Sequence, residues 1–354
     1  MRKVSTGRFF EDFGIGQHMV HAIPRTLHGG DISAYMALTG ERNPLASSTE
    51  LARSLGFQRE VIPDLLVFHI VFGKSVGDIS HNASANLGYA DVRFLRPVYP
   101  GDTLVAESDV IGLREVSSRE AGVVYVRTRG TNQKGQEVLS FVRWVMVPKR
   151  DVAQARDVNT VPQMPAVVTA DRIPVPEAMN LQRFPDLVWA FGSTARWEDY
   201  ADGERLDHPD AMTIEDADHM QATRLYHNSA QVHFDAQGMA SSRFGKRLVY
   251  GGHVISVAMA LAQNGFQTML RIAAWNGGAH VAPTFGGDTL RAFTEVIERA
   301  ELPTRRDVGA LRLRLCAVKN VAASDLASVP PLLSGTKEPR IVLELDYWAL
   351  FPRR

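Results

Sequence analysis

Two stretches of the chain recur at nearly the same separation, and this constrains the fold more than any single motif. Phe10-Glu11-Asp12-Phe13 with Gly16 returns as Trp197-Glu198-Asp199-Tyr200 with Gly203, an offset of 187 counted from Phe10 to Trp197. Tyr99-Pro100-Gly101-Asp102-Thr103-Leu104 returns as Phe285-Gly286-Gly287-Asp288-Thr289-Leu290, an offset of 186 counted from Asp102 to Asp288, and Pro97 answers Pro283 in the same register. Agreement in offset to one residue across about 90 positions implies a duplicated domain. The expected domains are residues 1–150 and 191–354. Between them, residues 151–190 are rich in Pro, Val and Ala and are expected to form an irregular linker draped over the surface.

Within each copy the pattern is helical first and strand-like later. Asp31 to Leu38 and the aligned stretch Asp218 to Leu225 read as capped helices. A second helix is expected to begin at Pro63-Asp64 in the first copy and at Gly251-Gly252 in the second, apolar on nearly every face and therefore buried. The succeeding runs Val123–Val126, Leu139–Val147, Leu311–Leu315 and Ile341–Trp348 read as strands. Each copy is thus an α+β unit, an antiparallel sheet wrapped round a central helix. Neither covers its sheet alone, so the two sheets are expected to join edge to edge about a pseudo-twofold axis, with any site where the halves meet.

Composition narrows the function. Of 354 residues, 45% are apolar, and Lys plus Arg and Asp plus Glu both total 39, so no net field draws nucleic acid or an anionic membrane. One cysteine, Cys316, leaves no internal disulfide, and the chain start lacks the layout of a signal peptide, which together predict a cytoplasmic protein. The longest apolar run, Leu65 to Phe72 interrupted by His69, is far below the roughly 18 residues of a membrane span. His18, His21 and His28 lack the spacing of a zinc site, and no metal is expected. His69 and His253 sit in or beside apolar helical runs, where packed, hydrogen-bonded histidines are the common case.

After the first helix the chain reads Thr39-Gly40-Glu41-Arg42-Asn43-Pro44-Leu45-Ala46, and at the duplicated position Tyr226-His227-Asn228-Ser229-Ala230-Gln231-Val232-His233. These stretches, and the repeat that carries them, resemble the MaoC-like branch of the hot-dog fold, to which type 2 enoyl-CoA hydratases belong. Its signature runs Thr or Ser, Gly, Asp, any residue, Asn, Pro, an aliphatic residue and His. The resemblance implies a tandem, or double, hot-dog fold in which the signature's Asp and His activate a water. Here the first copy has Glu41 and Ala46 at those places and lacks the imidazole, whereas the second keeps His233 but carries Asn228.

Neutral histidine, with an ordinary pKa near 6.5, suits proton removal from water and typically contributes about 10² to 10⁴-fold to such a step. His233 is therefore the expected catalytic base, and Asn228 the expected partner that holds the water. Because an amide cannot take a proton, Asp235 and Glu41 are candidate helpers. The start of the buried helix at Gly251-Gly252, followed by His253, offers free N–H groups to a thioester oxygen that gains charge. Tyr89, Arg93, Phe94, Leu95 and Arg96 are expected at the coenzyme A site, with Arg93 meeting phosphate and Phe94 stacking on adenine.

Within that branch, Leu87 to Leu95, Val61 to Phe68 (with Ile62, Pro63, Asp64 and Leu65 assigned to substrate binding) and Arg224-Leu225-Tyr226 leading into Asn228 and His233 are similar to the mesaconyl-CoA hydratase family. That resemblance implies a hydro-lyase acting reversibly on mesaconyl-CoA and β-methylmalyl-CoA, with coenzyme A as part of the substrate and no separate cofactor. The substrate's second carboxylate then needs a partner, for which Arg42, Arg224 and His227 are candidates. The expected binding partner is an acyl-CoA, with no nucleic acid or membrane, and two chains can associate as a homodimer. A hot-dog thioesterase and a non-catalytic acyl-CoA-binding protein are the alternatives on the same fold.

Overall fold

The computed structural model describes residues 4–331 and 338–354. The first half runs β1 (His18–Thr26), α1 (Gly29–Thr39), the short α2 (Pro44–Ser47) and α3 (Thr49–Ser54), α4 (Asp64–Ile79), β2 (Ala85–Phe94), β3 (Thr103–Glu115), β4 (Ala121–Thr131) and β5 (Glu137–Pro148). A connector carries β6 (Asn159–Thr160) and α5 (Phe184–Leu187). The second half then repeats the order as β7 (Arg205–Thr213), α6 (Asp216–Leu225), α7 (Ala236–Ala240), α8 (Gly251–Ala262), β8 (Arg271–His280), β9 (Thr289–Leu302), β10 (Arg305–Lys319) and β11 (Ile341–Pro352).

The repeated sequences make repeated turns. Asp102 accepts from the Tyr99 N–H at 2.8 Å and Asp288 from the Phe285 N–H at 2.9 Å, each carboxylate closing the turn before its strand. The preceding Gly101 (φ +103) and Gly287 (φ +91) are left-handed, where a side chain would be strained. Upstream, Asp12 and Asp199 accept from the N–H groups of Phe9 and Arg196, both at 2.9 Å, and start equivalent one-turn helices.

Among the described residues, all strands belong to one eleven-stranded antiparallel sheet, ordered β1-β3-β4-β5-β2-β8-β11-β10-β9-β7, with β6 beside β3. The halves meet where β2 pairs with β8, Tyr89 opposite Gly278 and Val92 opposite Trp275. The structure thus has the double hot-dog architecture expected from the sequence, with the edge-to-edge joint at β2 and β8. The connector does more than drape: Val168, Ile173, Met179, Leu181 and Phe184 are buried in a core cluster with Leu55, Phe57, Leu270 and Trp348.

Helices α4 and α8 are buried along nearly their whole length, each against strands of its own half, as their lack of a polar face requires. His69 of α4 and Ser256 of α8 are equivalent by the 187-residue repeat, counted from 69 to 256. They touch each other, His69 Nε2 lying 2.8 Å from Ser256 Oγ. Tyr35 of α1 donates its hydroxyl to the same Oγ at 3.0 Å. Burial keeps the His69 imidazole neutral by pushing its pKa well below the ordinary value. The contact therefore pins the two helices at the pseudo-twofold axis, and His69 is a packed, hydrogen-bonded histidine as its apolar setting predicted.

Ser256→Ala leaves the His69 nitrogen and the Tyr35 hydroxyl buried without their shared partner. The variant is expected to lose about 1–3 kcal/mol of stability, read as a lower urea midpoint. An unchanged midpoint would show that the crossing contributes nothing.

Candidate active site

Helix α6 ends at Leu225, and the chain turns through His227, whose φ of +57 repeats the left-handed pose that Gly40 (φ +77) adopts in the first copy. The turn carries Asn228 inward, where it is 4% exposed. Its N–H donates to the Thr223 carbonyl at 3.2 Å, and its Oδ1 accepts from the Ala230 N–H at 2.9 Å. That leaves the amide NH₂ free for a ligand. One helical turn over Gln231–His233 follows and delivers His233.

The His233 ring is held by a single bond of defined sense. Its Nδ1 lies 2.9 Å from the Leu248 carbonyl, an acceptor only, so Nδ1 carries the proton and Nε2 keeps a lone pair. Burial holds the pKa down to about 4, so the ring is neutral at neutral pH. His233 and Asn228 line one cavity of about 320 Å³.

Both halves build that cavity. Phe72 and Val76 of α4, Asn86 and Tyr89 of β2 and Arg143 of β5 come from the first half, and Tyr250, Gly251 and His280 from the second. Among the described residues no aspartate or glutamate lines it. Tyr89 and His280 meet across the joint, hydroxyl to Nε2, at 3.3 Å. The first half also seats the motif turn: a methyl group on Gly73 of α4 would overlap the Tyr226 carbonyl oxygen and crowd the Asn228 N–H.

The first copy's motif lines a separate pocket of only about 40 Å³, with Glu41 and Ala46 in its wall. Two side chains account for the difference. Asp64 begins α4 where the second copy has Gly251, and Arg271 begins β8 where the first copy has Ala85. Asp64 and Arg271 form a buried ion pair in the small pocket, whereas Gly251 and Ala85 leave the large one open. Glu41 accepts from the Arg42 N–H at 3.0 Å and the Asn43 N–H at 2.7 Å, and burial raises its pKa.

Several expected site residues lie elsewhere. Glu41, Pro63, Asp64 and Leu65 belong to the small pocket and Ile62 to the core beside it, so none reaches the His233 cavity. Asp235 is exposed and caps α7, accepting from the Gly238 N–H at 2.8 Å. Phe94 points to the inner face of the sheet and packs on Trp275 with ring centres 5.9 Å apart, so it cannot stack on an adenine. Arg93 pairs with Asp91 at 3.3 Å, Leu95 donates its N–H to the Val138 carbonyl at 2.9 Å, and exposed Arg96 bonds the Glu137 carbonyl at 2.9 Å. Gly252 is packed on the Tyr250 ring and His253 is buried, while Gly251 alone of the three lines the cavity. A side chain at Gly251 would collide with His280, so packing as well as ligand access demands glycine there.

Sequence reading missed Asn86, Arg143, Tyr250 and His280. Tyr250 and Asn86 directly precede stretches the sequence did single out, but none of the four carries a motif, and only the β2–β8 joint and the approach of α4 bring them to one wall.

Gly73→Ala tests the seating of the turn. Overpacking is expected to cost about 1–3 kcal/mol, and displacement of Asn228 to lower kcat by roughly 10- to 100-fold. Thermal unfolding and turnover measured on the same preparation check both; full turnover would mean that α4 does not set the turn.

The sequence and the fold have close counterparts. The mesaconyl-CoA hydratase family model matches residues 2–340. The mesaconyl-CoA hydratase of Cereibacter sphaeroides is 49% identical over 99% of this chain and 100% of its own length. The β-methylmalyl-CoA dehydratase of Chloroflexus aurantiacus is also 49% identical, over 99% of each chain. Among solved structures, a MaoC domain protein dehydratase from Chloroflexus aurantiacus superimposes with a TM-score of 0.93 at 48% identity, covering 100% of both chains. A Mycobacterium tuberculosis protein with a double hotdog fold follows it at 0.76 and 26% identity over 98% of each. With a family model spanning nearly the whole sequence and relatives alike from end to end, this chain belongs to the mesaconyl-CoA hydratase family.

Proposed function

We propose that the protein is a hydro-lyase that reversibly hydrates mesaconyl-CoA to β-methylmalyl-CoA, with His233 as its base. One observation carries the reading: His233 is tied through Nδ1 to the Leu248 carbonyl, and its unprotonated Nε2 is left for a cavity that both halves enclose.

The cavity supports the following sequence. The Asn228 amide donates to a water oxygen and orients one of its hydrogens toward His233 Nε2. As the water oxygen bonds to the β carbon, Nε2 takes that proton, and the double-bond electrons pass through the α carbon to the thioester oxygen. The N–H groups of His253 and Val254 are taken by the Tyr250 carbonyl, whereas those of Gly251 and Gly252 at the start of α8 have no helix carbonyl to bond, and Gly251 lies in the cavity wall, suited to that oxygen. With Glu41 and Asp235 outside the cavity, the imidazolium formed in the first step is the acid that protonates the α carbon, which restores neutral His233. Reversal of these steps is the dehydration.

Coenzyme A enters as part of the substrate, and the work asked of the protein is acid–base and positional. For its phosphates and adenine, the cavity mouth offers cations against rings in place of Arg93 and Phe94. The exposed Arg243 lies over Phe244 at 4.5 Å, Lys246 lies over Phe285 at 4.5 Å, and the two rings are 5.8 Å apart.

Incubation with mesaconyl-CoA should deplete the enoyl-thioester absorbance without releasing free CoA, whereas thioester hydrolysis would release CoA stoichiometrically. His233→Ala should lower kcat/KM by about 10² to 10⁴-fold with the fold retained in circular dichroism. Because His233 must be neutral and burial holds its pKa near 4, kcat/KM should be flat through neutrality and fall only as the pH drops toward about 4. An acid limb centred near the ordinary histidine value would rule out His233 as the group that titrates.

A further inference from the structure

We infer that Arg143 is the receptor for the free carboxylate of the acyl group, with Asn86 beside it as a second contact. This rests on the hydration proposed above and names the residues that select a dicarboxylic acyl chain.

Arg143 is 0% exposed on β5, yet it lines the same cavity as His233. Its guanidinium lies 4.2 Å over the Phe72 ring. Nη1 donates to Ser80 Oγ at 3.2 Å and Nη2 to Ser75 Oγ at 2.8 Å, while Nε has no partner. Two neutral hydroxyls therefore occupy part of a five-donor fork that is shaped for a carboxylate. Of the other buried cations, Arg271 pairs with Asp64 and Lys149 with Glu115 at 2.6 Å, while Lys74 bonds the Ile23 carbonyl and does not line this cavity. The ionisable groups that act on Arg143 are the hydroxyls of Tyr89 and Tyr250, which burial keeps uncharged at neutral pH, with no aspartate or glutamate among them. Burial lowers its pKa only to about 10, so the group stays cationic at neutral pH. A buried cation without an anion is costly to keep, and an anionic ligand relieves that cost.

Asn86 supplies an independent observation. Both its Oδ1 and its Nδ2 are buried without partners, and it lines the same cavity. The cations first considered for this task, Arg42, Arg224 and His227, are all exposed and outside the cavity wall. In the second half, Tyr347 holds the place of Arg143, since Tyr347 faces Trp275 across β11 and β8 as Arg143 faces Tyr89 across β5 and β2. The guanidinium is thus particular to the wall that faces the intact motif.

The chemistry gives the arginine a definite task. In mesaconyl-CoA the free carboxylate sits on the β carbon that accepts water. Its negative charge opposes an incoming oxygen that is losing a proton. Pairing with Arg143 neutralises that charge and fixes the β carbon relative to the water held by Asn228 and His233.

The test compares hydration of mesaconyl-CoA with that of its methyl ester at the free carboxyl group, in the wild type and in Arg143→Gln. For the wild type, kcat/KM is expected to favour the acid by about 10²-fold; in Arg143→Gln, the acid should lose at least that factor and the ratio should fall to near unity. Arg143→Lys, which keeps the charge but not the fork, should give an intermediate ratio. A wild-type ratio near unity would overturn the inference without any variant. An undiminished ratio in a folded Arg143→Gln would do the same while leaving the hydration intact. Hydration of neither compound by the wild type would remove the reaction itself, and the inference with it.

Discussion

The structure depends on the burial of two helices that have no polar face. A helix of the composition of α4 or α8 must be enclosed, and a single twisted sheet encloses only part of one. The two halves solve this together, joining β2 to β8 and crossing the helices at His69 and Ser256. The shared cavity follows from that crossing, because it brings α4 of one half against the motif turn of the other.

The same enclosure sets the electrostatics of the site. Water exclusion depresses the pKa of His233 and His280 to about 4, so both rings face the cavity neutral. The wall holds Arg143 and Arg243 and, among the described residues, no acidic side chain. A carboxylate at the position of Asn228 would have to share this space with the acyl group's free carboxylate and a developing enolate. An amide avoids that repulsion, and this gives a physical reason for a motif that would otherwise read as damaged.

Much of the architecture was legible in the chain because duplication and helix polarity are local signals. The offset of 187 residues relates β1 to β7 and α4 to α8 directly, by first residue 18 to 205 and 64 to 251. His233 and Asn228 were legible because one short motif carries both. Arg143 and Asn86 were not, since a lone arginine in a strand normally marks a solvated edge, and it is the packing of α4, with Ser75 and Ser80 at its C-terminal end, that takes this one inward. Phe94 misled for the converse reason: a ring beside an arginine suggests a nucleotide, but the strand's inner face is committed to the core. Asp235 had a local signal that pointed away from catalysis, a glycine N–H three positions on for its carboxylate to cap.

The exchange at the ends of α4 and β8 has an evolutionary consequence. The small pocket brings together Asp64 and Arg271, and the large cavity has Gly251 and Ala85 at the corresponding places. In an assembly of two identical subunits, every change made at one position appears in both pockets, so a salt bridge that plugs one would plug the other. Fusion of the copies into a single polypeptide lifts that restriction. It lets one cleft be filled for rigidity while its twin is hollowed out, and the lost symmetry becomes the means by which a single chain holds both a strut and a binding chamber.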